Sequence, residues 1–218
     1  RVHSRMMMTV AYFVTPHGFG HAARACAVMD ALHVRQPSLR FHIFTTVPRW
    51  FFSESLTDCF EYHECESDIG LVQVSPLEEN LTATAERLER APWRSPDVVE
   101  ALARELDRLD CGLVVADISP LGLRAASVPC LPSVLVENFT WDWIYKPYTA
   151  AFPELQKYAD QLQEIFAAVD YHIQTEPVCR HSPREFLCGP IFRRLRGTGH
   201  RIRKRFGCAD RKLVLVTM

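Results

Sequence analysis

At 218 residues and 25.0 kDa, with 48% hydrophobic and 11% aromatic residues, the chain can bury a full core, and its length suits one large domain or one and a half. A formal charge of -1 argues against a general nucleic-acid or acidic-surface binder, a role that shows as overall basicity. Eight cysteines, at positions 26, 59, 65, 111, 130, 179, 188 and 208, form no close CxxC pair, which argues against a zinc site or disulfide framework and for reduced thiols in a cytoplasmic protein.

The amino terminus, RVHSRMMMTVAYFV, places arginines before an apolar run as a secretory signal does. The run meets Pro16 and a glycine turn with no small-x-small cleavage site, so it reads as the first core strand. No apolar stretch approaches the roughly 20 residues of a membrane-spanning helix. Arg1 in place of an initiator Met suggests that the chain begins inside a longer one.

Val10 to Val14 is apolar without alternation, as suits a parallel strand buried on both faces. The turn that follows holds two glycines and two histidines. From Ala22 the apolar period becomes helical, with Ala22, Ala25, Cys26, Met29 and Leu32 on one stripe. A strand feeding a helix through such a turn gathers backbone N–H groups and the positive end of the helix dipole, which favours an anion or a hydroxyl-rich ligand.

Beyond that unit the chain alternates strand and helix, the pattern of an α/β, doubly wound, mainly parallel, Rossmann-like sheet. Arg40 to Thr46 reads as a second strand, Phe60 to His63 as a third, and Val72 to Val74 as part of an irregular connection. Leu77 to Arg90 carries Leu81, Ala85 and Leu88 at helical spacing. Ser95 caps and Pro96 opens a helix whose Val98, Val99, Leu102, Leu106 and Leu109 share a face. Leu113 to Ala116 is a buried strand ending at Asp117, with Ser119 and Pro120 starting the next helix. Ser133 to Val136 is another, ending at Glu137 and Asn138. A helix over Pro153 to Val169 leads to Tyr171 to Gln174, expected as the last strand of the sheet. Gly189 to Gly199 breaks the pattern, a basic amphipathic segment spans Arg201 to Phe206, and Leu213 to Thr217 reads as a fresh strand. An apolar strand with nothing after it is half of a βα unit. Residues 1–190 are therefore expected to form one domain, and 191–218 a linker, basic helix and first strand of a truncated second one.

Gly18, Gly20 and Ala23 satisfy G-x-G-x-x-G/A, yet Thr45, Thr46, Val47 and Pro48 stand where a dinucleotide site needs an acid for the ribose. No GK[ST], HExxH or G-x-S-x-G motif occurs. His17 and His21 flank the turn at the carboxyl edge of the sheet, where open α/β sheets bind ligands. A neutral imidazole can take a proton from a sugar hydroxyl, and His21 is favoured over His17 because the helix start fixes its direction. The alternative is that either ring caps the helix or fills a gap. Asp117 and Asn138 end two other strands and should face the same crevice, although Asp117 serves equally well as a turn or cap residue. Asn138 belongs to ENFTWDWIYKPY, where rings such as Trp141 beside Asp142 can stack on a sugar while its hydroxyls are hydrogen-bonded. A buried packing cluster is the competing reading. Between Arg193 and Lys212 lie nine of the 25 Lys and Arg residues, a solvated helix face that could also attract a phosphorylated ligand or an anionic membrane surface.

HGFGHAAR (His17 to Arg24), ADISPLGLRAA (Ala116 to Ala126), ENFTWDWIY (Glu137 to Tyr145) and GPIFRR with the basic RKRFG and LVLVTM resemble the amino-terminal half of GT-B glycosyltransferases. The resemblance is strongest to the glycosyltransferase-like domain ahead of the kinase in plant L-arabinokinases and in stand-alone bacterial relatives. A more distant likeness is to the enzyme that adds N-acetylglucosamine to the lipid-linked peptidoglycan precursor. The resemblance implies a two-domain transferase, with an acceptor-binding amino-terminal domain and a nucleotide-sugar bound mainly by a second domain, usually without an essential metal or other cofactor. It implies that Gly18, Gly20 and His21 form the glycine-histidine turn and that Asn138 lies in a second acceptor-side loop. The expected function is transfer of a sugar from a nucleotide-sugar to a hydroxyl acceptor; the alternative is a non-catalytic carbohydrate-binding or regulatory domain that kept the fold.

Overall fold

The structure, a computed structural model, describes residues 8–181, 186–194, 199–208, 211–212 and 214. Strand β1 (Thr9–Val14) is buried along its whole length, because parallel neighbours flank it and helices cover both faces. Helix α1 (Phe19–Arg35) follows the glycine turn, and β2 (Arg40–Thr45), the short α2 (Arg49–Ser53) and β3 (Phe60–Glu64) complete one wing.

The link to the other wing is more ordered than the sequence suggests. Val72 to Val74 falls in a small antiparallel hairpin, β4 (Gln73–Ser75) and β5 (Glu78–Glu79). Helix α3 (Leu81–Glu89) therefore starts at Leu81 rather than Leu77, and the Asn80 Oδ1 accepts the Ala83 N–H at 2.9 Å to cap it. Ser95 caps α4 (Pro96–Arg108) as expected, its Oγ accepting from Val98 N. The buried face of α4 is Val99, Ala103 and Leu106, and Val98 turns outward with 41% of its surface exposed.

Strand β6 (Cys111–Asp117) leads into α5 (Pro120–Ser127), with Ser119 as N-cap and Pro120 at the first helical position. Strand β7 (Ser133–Glu137) is followed by a short helix α6 (Trp141–Tyr145) where a loop was expected, then 3-10 turns over Lys146–Ala150 and Pro153–Leu155. Helix α7 (Gln156–Ala167) lies within the helix expected over Pro153 to Val169, and β8 (Tyr171–Thr175) follows. That strand is not the last. A three-residue strand, β9 (Phe186–Cys188), pairs with it in parallel. Its neighbours give no apolar run, and Phe186 and Leu187 stay exposed at the sheet edge.

The result is a seven-stranded parallel sheet in the order β3-β2-β1-β6-β7-β8-β9. Val10, Tyr12, Val14, Phe41 and Ile43 meet α1 and α2 on one face. Ala11, Phe13, Phe44, Val114, Ala116 and Leu135 meet α3, α4, α5 and α7 on the other. The chain changes direction between β1 and β6, the switch point at which the strands' carboxyl ends leave a crevice.

After β9 the chain returns over α1 and α2. There the Arg194 Nε lies 2.9 Å from Asp30 Oδ2, and the Arg193 guanidinium sits 4.2 Å over the Phe51 ring. The exposed helix α8 (Gly199–Arg205) accounts for much of the basic segment read from the sequence. The strand expected over Leu213 to Thr217 lies, apart from Val214, outside the described residues. All eight cysteines are free thiols. Burial pushes Cys26 and Cys65 up to about 11 and Cys111 up to about 12, which makes them apolar filling rather than nucleophiles. Among the described residues no helix is long and apolar enough to cross a membrane.

One glycine shows how closely the second face is packed. A Cβ on Gly122 of α5 would stand 2.4 Å from the Phe13 Cγ, and that ring is fully buried against Phe44 at 4.6 Å. Overpacking of this kind costs ~1–3 kcal/mol, more than the roughly 0.5 kcal/mol that leaving glycine returns in helix propensity. Gly122→Val should lower the urea midpoint with the m-value unchanged. An equal or higher midpoint would mean that the α5–β1 contact has slack.

Candidate functional site at the carboxyl edge of the sheet

The site begins with the turn after β1. Gly18 holds φ at +83°, a left-handed region that a side chain resists, and its N–H returns to the Pro16 carbonyl at 2.9 Å. That reversal starts α1 so that His21 and Arg24, three residues apart and hence on one face, look across the ends of β6, β7 and β8.

Asp117, at the end of β6, is fully buried and receives both side chains. The Arg24 guanidinium donates through Nε to Oδ2 at 2.7 Å and through Nη2 to Oδ1 at 2.6 Å, a two-pronged fork. Its third nitrogen, Nη1, donates to the Asn138 Oδ1 at 2.9 Å and to the Thr175 Oγ1 at 3.1 Å. One guanidinium thus ties α1 to the ends of β6, β7 and β8. The His21 Nδ1 lies 2.8 Å from the Asp117 Oδ1 and 3.1 Å from Arg24 Nη2. Beside a carboxylate and a permanent cation, the favoured tautomer carries its proton on Nδ1 and donates it to Asp117, leaving Nε2 as the acceptor. The Phe139 ring stands edge-on to the imidazole at 5.7 Å.

The electrostatics follow from this geometry. Burial alone would push Asp117 up, but the Arg24 charge and hydrogen bonds, with those of His21, hold it below its ordinary carboxylate value. Burial would lower Arg24, and the charge and hydrogen bond of Asp117 outweigh that and raise it, so the pair is ionised.

His17 occupies the other side of the turn. Its Nε2 is 3.0 Å from the buried Asp68 Oδ1, an ion-pair distance without hydrogen-bond alignment. The Trp141 Nε1 donates to the other Asp68 oxygen at 3.1 Å, and the Trp141 ring meets His17 edge-on at 4.9 Å. Gly70, at φ +63°, lies against the same imidazole, and a Cβ there would fall 2.2 Å from its Cε1.

An open crevice of about 360 Å³ is bounded by His17, Gly20, His21, Arg24, Asn138 and Thr175, with Glu176, Pro177, Pro190 and Ile191 at its mouth. Its size suits a small ligand. Larger hollows lie elsewhere, one of about 440 Å³ against α5 and α7 and one of about 550 Å³ beside α1 and α2. The first opens beside Ser133 and Asp170, at the amino ends of the strands, and neither collects strand-end side chains as this one does.

Of the residues proposed from the sequence, His17, Gly20, His21 and Asn138 line the crevice, and Asp117 lies fully buried behind His21 and Arg24, hydrogen-bonded to both. Gly18 shapes the turn. Trp141 is buried behind His17. Asp142 is also buried, with its Oδ2 3.6 Å from Arg180 Nη2, and does not line the crevice. Sequence reasoning missed Arg24, Asp68, Gly70 and Thr175. The available signal for Arg24 was its place three residues after His21, on the face turned toward the strand ends.

Removing the guanidinium leaves a buried carboxylate uncompensated, a change that costs roughly 3–5 kcal/mol. Arg24→Met should lower the free energy of urea unfolding by about that amount, and Arg24→Lys should recover little because an ammonium cannot form the fork. Adding Asp117→Asn to Arg24→Met should restore part of the loss. The pH dependence has a fixed sign. Because the folded Asp117 titrates below its ordinary value of 3.8, its contribution is complete above that pH and disappears as pH falls through the folded value. An acid limb of stability identical in wild type and Arg24→Met would contradict the pairing.

No protein-family model matches the chain. It is 30% identical over 208 residues to the L-arabinokinase of Arabidopsis thaliana, a match that covers 93% of this chain and 20% of that protein. Among solved structures, the glycotransferase of kitacinnamycin aligns with a TM-score of 0.56 at 12% identity, over 88% of this chain and 54% of the other. A UDP-glucosyltransferase from Polygonum tinctorium capable of glucosylating indoxyl aligns with a TM-score of 0.53 at 11% identity, over 90% and 55%. The chain thus spans a fifth of the curated relative and about half of each of these structures. Its seven-stranded parallel sheet is a Rossmann-like half of the two-domain GT-B glycosyltransferase fold.

Proposed function

We propose that this chain is the acceptor-binding, amino-terminal half of a GT-B sugar transferase, which moves a sugar from a nucleotide-sugar to a hydroxyl. The observation that carries the reading is an imidazole at the carboxyl-edge crevice, anchored at Nδ1 by Asp117 at 2.8 Å. With Nδ1 committed, the His21 Nε2 accepts the proton of an acceptor hydroxyl. The hydroxyl oxygen bonds to the anomeric carbon as the bond from that carbon to the phosphate oxygen breaks, and the nucleotide leaves with the electron pair. Asp117 steadies the imidazolium. The Asn138 amide, the His17 ring and backbone donors around Gly20 hold the remaining acceptor hydroxyls. The glucosyl transfer named for the Polygonum structure supports the donor and acceptor classes, and the donor belongs to a second half.

In a protein that carries both halves, His21→Ala should reduce kcat/KM by roughly 10²-fold or more with little change in melting temperature. Unchanged turnover would remove His21 from the mechanism. For this chain alone, calorimetry with UDP-sugars should show no saturable binding, whereas L-arabinose, the sugar named for the relative, is a first acceptor probe. Tight UDP-sugar binding by the 218 residues would overturn the assignment of halves. Sugar binding without turnover in the two-half protein would identify a carbohydrate-binding or regulatory domain instead.

A further inference from the structure

At the far edge of the sheet β2 and β3 bring together three groups that the transfer chemistry does not use. His42 faces Glu61 directly across the pair, and His63 faces Phe44 one step further along. All three side chains therefore stand on the face covered by α4. The His42 Nδ1 and His63 Nε2 approach to 2.9 Å, and the Glu61 Oε2 lies 3.8 Å from the His42 nitrogen. One ligand atom from each residue fits within a group no more than 4.8 Å across.

We infer that His42, His63 and Glu61 form a binding site for a borderline transition-metal cation such as zinc. Two imidazoles and one carboxylate suit zinc or its neighbours better than magnesium or calcium, which prefer all-oxygen shells. Zinc holds nitrogen at about 2.0–2.1 Å, so tetrahedral ligand atoms stand roughly 3.3 Å apart. The two separations from the His42 nitrogen, 2.9 and 3.8 Å, bracket that value, and rotation of the exposed Glu61 side chain would close the shell. In the metal-free pair one ring nitrogen donates its proton to the other. Coordination moves that proton to the far nitrogen of its own ring, so that both facing lone pairs turn to the cation.

The surroundings are already arranged. Phe44 stacks on His63 at 4.6 Å and 14°, and on Phe13 behind it, which fixes the plane of the ring. Glu105 of α4 is close enough to act on both rings, but Arg108 occupies it through two hydrogen bonds at 2.8 and 2.6 Å. Glu61 is the mobile ligand, since 73% of its side chain is exposed. A water completes the tetrahedron from the solvent side, the pattern of three protein ligands and one exchangeable position.

The test titrates the whole, reduced chain with cobalt(II) and zinc(II), using calorimetry and visible absorption. One equivalent should bind with tetrahedral ligand-field bands and no thiolate charge-transfer band, and zinc should raise the melting temperature. His63→Gln should weaken binding by at least roughly 100-fold and Glu61→Gln by about 10-fold. The exposed Glu61 can be changed without touching the core, so a folding defect in the histidine variant does not decide the outcome. Absence of saturable binding, a thiolate-type spectrum, or affinity unchanged in both variants would overturn the proposal and leave the two histidines as a hydrogen-bonded pair.

Discussion

The rim of this sheet depends on a buried ion pair between Arg24 and Asp117. Taking two such charges from water costs several kcal/mol each, and attraction between them offsets this only if geometry is close and the remaining donors are used. Both conditions hold. The fork meets both carboxylate oxygens, and the third guanidinium nitrogen reaches Asn138 and Thr175. The pair therefore converts four separate chain segments into one surface. It can form only because the strand order sets β1 beside β6 and continues through β7 to β8, so that the residues ending these strands converge in front of the first turn of α1.

A second set of ties builds the opposite wall. The segment between β3 and β4 passes over the strand ends, and Ser67, Asp68, Ile69 and Gly70 are all buried there. A buried irregular backbone needs partners for its polar groups, and side chains from distant elements supply them. Ser119 Oγ donates to the Ser67 carbonyl at 3.2 Å and Tyr145 OH to the Gly70 carbonyl at 2.8 Å. Ser67 Oγ in turn donates to the Val14 carbonyl at 3.2 Å. The aromatic segment after β7 thus contributes mainly from behind. Trp141 and Tyr145 stack at 6.0 Å and fix Asp68 and Gly70, which together set the position of His17. Sugar-stacking, the role suggested by those rings in sequence, gives way to support because both rings are buried.

What could be read from the sequence was local. A buried strand, a glycine turn, caps at Ser95 and Ser119, and the rule that parallel strands end at the ligand edge were enough to place His21, Asp117 and Asn138 together. What escaped was set by distance along the chain. Arg24 lies off the apolar stripe of its helix, and only the position of Asp117, 93 residues later, makes it a buried strut. Thr175 needs β8 in register beside β7. Gly70 has meaning only when His17 lies against it. β9 is too short for any periodicity, and hydrogen bonding to β8 alone defines it.

The charge count at the rim bears on the proposed chemistry. Arg24 and Asp117 cancel, so the trio with a neutral His21 has no net charge. Asp117 is shared between guanidinium and imidazole, and it can neutralise only one cation at full strength. In the proposed transfer, where His21 takes the acceptor's proton, the trio would carry one net positive charge beside the buried Asp117. Glu176 stands at the mouth, but it is exposed and its charge is screened by water. A positive charge that appears only as the hydroxyl loses its proton stabilises negative charge growing nearby at the same moment, which is the selective form of binding that catalysis requires. In transfer from a nucleotide-sugar that negative charge grows on the departing phosphate oxygen.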